Sequence, residues 1–187
     1  MMQAERINVR KHLAHVTDDV HQALHHDPLL SRLMNPGLTA SDYADALAVF
    51  HGLYAAVERA RTQMDVYPEF SVHRECHSLE QDLRHRDGPS LGSPRFRLGC
   101  EHAVLGALYV AHGAAFGRNS MRSNILHALP QRRHHFVGLS PSADLWTSLL
   151  KELDMRGQVS ADLVRIEQGA DRTFAYVSRL SRNIGRA

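Results

Sequence analysis

Residues 105–120 read LGALYVAHGAAFGRNS, where Gly106, Ala107, Ala111, Gly113, Ala114, Ala115 and Gly117 crowd the middle of an otherwise helical pattern. Glycine inside a helix costs on the order of 1 kcal/mol relative to alanine, so each of these positions needs a reason. Two are available from the residues alone. Small residues let a neighbouring helix backbone approach closely, or a bare stretch of backbone forms a wall for a flat, bulky ligand. Gly113 and Gly117 lie one turn apart on the same face. Periodicity does not distinguish a core stripe from a ligand wall, so both readings stand at this point.

The surrounding chain is helical throughout. Its 187 residues are 43% hydrophobic, 22% charged and only 6% aromatic, ordinary for a globular protein and weighted toward helix by alanine and leucine. Residues 4–26 put Val9, Leu13, Val16, Val20 and Leu24 on one stripe and stop near Asp27-Pro28. A short helix over Leu29–Met34 precedes the breaker Asn35-Pro36-Gly37. Thr39 or Ser41 caps a helix facing inward through Tyr43, Leu47, Phe50, Leu53, Tyr54 and Val57. Further helices are expected from about Val72 to Arg86, from near Arg97 through the opening stretch, around Leu145–Leu153, and over Ser160–Ser181. DGPSLGSP (87–94) reads as a loop and Leu129–Pro141 as a helix-poor zone. The expectation is one all-helical domain spanning residues 1–187, with seven to nine helices.

Charge and sulfur narrow the function classes. The formal net charge of +2 is too small to imply nucleic acid, although all the basic residues but Lys11 and Lys151 are arginine. No apolar run approaches the roughly 20 residues needed to span a bilayer, and the polar start MMQAERINVRKHL has no signal-peptide core, so a cytoplasmic location away from membranes is expected. Cys76 and Cys100 have no metal-type spacing and read as free thiols. Fourteen histidines invite a metal reading, but no glutamate is followed three residues later by histidine, as di-iron bundles require. His73 and His77 are one turn apart and read as a solvated face beside Arg74 and Glu75.

His21 is different. In TDDVHQAL (17–24), Thr17 and His21 share a helix face, and His21 borders the apolar stripe of Val20 and Leu24. An imidazole on an apolar face is either a satisfied core residue or a neutral ligand donor of the kind an axial heme ligand needs.

LGALYVAHGAAFG is similar to the distal-helix signature of the heme oxygenase family, and TDDVHQAL resembles its proximal helix, Thr-x-x-x-His-x-x-Leu. SDYADALAVFHGLYAAVE (41–58), SLEQDL (78–83) and HFVGLSPSADLWTSLLKEL (135–153) fall in the family's order, and the resemblance is greatest to the bacterial branch found with bacteriophytochromes. It implies oxidative cleavage of heme, as substrate and cofactor, to biliverdin, CO and iron. It implies His21 as proximal iron ligand and a distal wall of Gly113, Ala114, Phe116 and Gly117. Thr17, His25, His112 and Arg118 would stand in the second shell or proton relay, and Arg10, Lys11, Arg179 and Arg182 would meet the propionates. Implied partners are an electron donor such as a ferredoxin, flavodoxin or reductase, and a bacteriophytochrome as biliverdin acceptor. His25 replaces the family's acidic residue, His112 its glutamate and Arg118 its second closing glycine. These departures favour the alternative, a heme carrier or sensor that has lost turnover.

Overall fold

The computed structural model describes residues 6–84 and 94–185, all of whose regular elements are helical. The first helix divides in two, α1 (Val9–Val16) and α2 (Asp18–His25). The break falls at Thr17, whose φ of −103° and ψ of 5° leave the helical region. Its hydroxyl donates to the Leu13 carbonyl at 2.7 Å, and Asp18 and Asp19 favour a fresh N-terminus through the helix dipole. α1 is anchored: Asn8 caps it, Val9 and Leu13 are buried, and the Val9 amide donates to Asp154 at 2.9 Å. α2 contains no buried residue. The continuous core stripe expected from Val9 to Leu24 therefore ends at Leu13, with Val16 42% exposed and Val20 and Leu24 only partly covered.

A 3-10 turn over Leu30–Met34 leads to α3 (Ala40–Met64), capped by Thr39, whose hydroxyl accepts from the Asp42 amide at 3.1 Å. α3 buries Tyr43, Leu47, Leu53, Tyr54 and Val57 and ends on the left-handed Asp65, φ 53°. α4 (His73–Leu83) stops before the expected Arg86, and the loop read at 87–94 lies outside the described residues except for Pro94. α5 (Glu101–Ala128) starts four residues later than Arg97 because Cys100 is extended, φ −163° and ψ 168°.

Within the helix-poor zone sits a four-residue helix, α6 (His135–Gly138). Asp82 of α4 makes it possible. The two oxygens of this buried carboxylate accept from the His135 amide at 2.8 Å and the Phe136 amide at 2.9 Å. Asp82→Ala would strand both donors and is expected to cost about 1–3 kcal/mol in urea denaturation, with Asp82→Asn restoring part of the loss. α7 (Ala143–Arg156), capped by Ser142, and α8 (Ser160–Ile184) complete the bundle.

The spine is the α5–α8 pair. A Cβ on Gly106 would lie 1.9 Å from the Ile166 carbonyl oxygen, and one on Gly169 would lie 2.0 Å from that of Ala103. Here the close-packing reading of the glycines holds. Cys76 and Cys100 are free thiols, and burial pushes Cys76 up to about 12. Among the described residues no group of three or more His, Cys, Asp or Glu side chains can hold a metal ion, and no helix is long and apolar enough to cross a membrane.

Candidate functional site

Gly113 and Gly117 behave unlike Gly106. A Cβ on Gly117 would meet nothing within 4 Å, and one on Gly113 would meet only the Trp146 ring, at 3.9 Å. No backbone lies within 4 Å of a Cβ at either position, so these are not packing glycines in the manner of Gly106. The same face carries Tyr109, stacked on Trp146 at 5.6 Å, and Phe116, 5.5 Å from the same indole and 42% exposed. Ala114 is half-buried beside them. Trp146, the only tryptophan of the chain, projects from α7. The result is a shelf of bare backbone edged by aromatic rings and open to solvent.

The second uncovered surface is α2. It packs on α8 and on the 3-10 turn, while α5 packs on α3, α7 and α8, so little direct packing joins α2 to α5. His21 is exposed, with its ring 6.1 Å from Phe174 of α8 and 4.7 Å from His25, both edge-on. Partial burial, reinforced by the neighbouring His25 and opposed by Asp18, lowers the His21 pKa from the usual histidine value. That keeps the imidazole neutral, the form that donates a lone pair. An amphipathic helix that buries none of its apolar stripe leaves that stripe available to an occupant.

The other sequence candidates are distributed unevenly. Arg10 lies close enough to Tyr109 to act electrostatically on its phenol. Lys11 and Arg182 are exposed, and Arg179 stands 5.9 Å over the Tyr176 ring. Thr17 is buried, with its hydroxyl spent on Leu13. His112 and Arg118 each sit about 100° around the helix from the nearer glycine. His112 is buried and its Nε2 donates to the Phe70 carbonyl at 3.0 Å. Arg118 is only 1% exposed and donates to the Leu139 carbonyl at 3.1 Å. Trp146 and the buried Phe174 border the two uncovered surfaces, and nothing in their spacing marked them out. A separate cleft of about 510 Å³, lined by Gln81, Asp82, Arg84, Arg132, Arg133 and His135 among others, holds none of the candidates.

The surroundings of His112 give a pH expectation. Desolvation is the largest influence and lowers its pKa, opposed by the Phe70 carbonyl and by Glu75 and Glu58. The unfolded chain then binds the proton more readily, so stability is full above about pH 6.5. It falls as the pH drops from there toward the lowered folded value, with His21 acting in the same direction. The melting temperature should fall between pH 7.5 and pH 5, and His112→Gln, which keeps an N–H for Phe70, should flatten that slope.

The solved structures that share this arrangement include two heme oxygenases. Heme oxygenase-1 from the cyanobacterium Synechocystis, solved in complex with heme, is 14% identical over 94% of this chain and 91% of its own, with a TM-score of 0.68. The heme oxygenase of Leptospira interrogans is 14% identical over 94% and 98%, with a TM-score of 0.69. The fold is that of the heme oxygenases. Comparison of the sequence with protein-family models and with curated proteins finds no match. The heme oxygenase fold is therefore carried here by a sequence that keeps few of the neighbours' residues.

Proposed function

We propose that this protein binds heme between α2 and the glycine shelf of α5 and cleaves it as a heme oxygenase. One observation carries the reading: within a heme oxygenase fold, no residue of the helix bearing His21 is fully buried, Gly117 faces open space, and Gly113 faces only the Trp146 ring. The residues present suit the group. Bound heme would supply the iron at which O2 is activated and the macrocycle that is opened to biliverdin. His21 would hold the iron as a neutral imidazole, oriented against Phe174 and His25. Gly113 and Gly117 would admit the ring and its oxygen against the helix backbone, where a side chain would block them. Tyr109, Phe116 and Trp146 would exclude water along the apolar edge. Arg10, beside Tyr109, together with Lys11, Arg179 and Arg182, would supply cations for the propionates.

The reaction consumes electrons, so a soluble donor such as a ferredoxin, flavodoxin or reductase belongs to the proposal, as does a cytoplasmic setting with a phytochrome-type acceptor for biliverdin. The carrier or sensor reading draws on His112 and Arg118, whose side chains are committed away from the glycine face and are poorly placed to relay protons there. Hemin titration tests binding: a Soret band of a histidine-ligated heme should appear while Trp146 fluorescence is quenched. Reductant in air, with catalase present, then tests turnover. Loss of the Soret band with growth of biliverdin absorbance is expected, whereas intact heme at both pH 6 and pH 8 would support the carrier.

A further inference from the structure

The stretch leading into α6 reads QRRHH (131–135), and α4 closes on Leu83 with Arg84 as its C-cap. The fold brings these two stretches together around the cleft of about 510 Å³. The guanidinium-bearing side chains of Arg84, Arg132 and Arg133 line it, together with Gln81, Gln131 and His135. Among the described residues none of these three arginines forms an ion pair or donates a side-chain hydrogen bond. Arg132 instead stands 5.8 Å over the Tyr43 ring. The one carboxylate in the lining, Asp82, is buried, and its two oxygens accept from the His135 and Phe136 amides. Its hydrogen-bonding capacity is spent on α6, so three cations share the cleft without a paired anion.

Like charges gathered in one concave surface repel each other, and the positive potential they build draws anions. The chain as a whole is nearly balanced, at +2 over 187 residues, so the excess is local. Guanidinium forks match the oxygens of phosphate groups. Size and lining narrow the ligand further. The volume is that of a small-molecule pocket and exceeds a single ion, and three separate forks suit more than one anionic group. Every described residue of the lining is polar. A docked protein would want an apolar anchor at the centre of its contact, and single-stranded nucleic acid an aromatic platform.

We propose that this cleft binds a small polyanion carrying two or more phosphate groups, at a site that shares no residue with the proposed heme slot. The probe is inorganic pyrophosphate, titrated into the heme-free full chain at constant ionic strength and followed by calorimetry and thermal unfolding. Saturable binding at one site per chain is expected, on the order of tenfold tighter than for sulfate or orthophosphate because two groups are gripped at once. The melting temperature should rise by roughly 5 °C at saturation. Arg84→Gln with Arg133→Gln should lose most of this binding and keep the helical circular dichroism, since both side chains are exposed. Arg179→Gln with Arg182→Gln, on α8, should retain the binding. No saturable binding, equal binding of sulfate, or undiminished affinity in the Arg84/Arg133 variant would overturn the proposal. A glutamate-rich peptide that binds where pyrophosphate does not would overturn it too, assigning the cleft to an acidic protein segment.

Discussion

Gly106→Ala and Gly169→Ala are each expected to destabilise the protein by about 3–5 kcal/mol, a fall of roughly 10 °C in melting temperature. The added methyl group would sit at 1.9 Å or 2.0 Å from a carbonyl oxygen of the facing helix. Backbone cannot swing aside as a flexible side chain can, so α5 and α8 must separate along their length. Gly117→Ala should act in the opposite direction. Its Cβ meets nothing, and replacing a helical glycine by alanine typically gains about 0.5–1 kcal/mol. Gly113→Leu should leave heme-free stability nearly unchanged while heme affinity collapses, because the larger side chain would fill the shelf. Paired melting curves and hemin titrations separate the two pairs of glycines. Similar losses of stability at positions 106 and 117 would mean that the shelf is packed after all.

His21→Ala is expected to remove the histidine-ligated Soret spectrum and weaken heme binding by more than about 100-fold, beyond the 10–100-fold typical of changes outside the first coordination sphere. Helical circular dichroism should be unaffected, since α2 contributes no buried residue. Titrating the bound form adds a pH check. A proton competes with iron only below the pKa of the free imidazole, which desolvation and His25 lower in the folded protein. The ligated spectrum should therefore survive to a more acidic pH than an ordinary histidine would allow. A spectrum unchanged in His21→Ala would transfer ligation to His25 or His26, further along the same chain segment.

Much of this was legible in the residues. The apolar stripes of α3 and α8 located those helices, since Tyr43, Leu47 and Leu53, and Ile166, Phe174 and Val177, recur at helical spacing and are buried. Thr39 marked a helix start because its side chain competes for a free amide. The division at Thr17 was not legible, because Val16, Val20 and Leu24 continue the period of Val9 and Leu13 across it. α6 was also hidden, since its cap is Asp82, distant in sequence. At the site, composition flagged Gly106, Gly113 and Gly117 alike. Only the position of α8 divides them, setting Gly106 against a neighbouring backbone while Gly113 meets only the Trp146 ring and Gly117 meets nothing. His112 and Arg118 were matched by motif position, whereas their directions follow from the helical phase of α5 and from the carbonyls of Phe70 and Leu139.

The absence of any buried residue in α2 also bears on how fast the protein can act. Local opening free energies follow buried contacts, so the amides of residues 18–25 should exchange with deuterium far sooner than those of α5 or α8, whose faces interlock at Gly106 and Gly169. The segment carrying His21 would then spend part of its time unwound, and apparent affinity for any ligand it grips is reduced by the fraction of time it is helical. A helix-favouring substitution on its exposed side, such as Gln22→Ala, should tighten binding without touching the ligand. The same substitution should slow its release, so a catalyst that must discharge its product gains nothing from a stiffer α2.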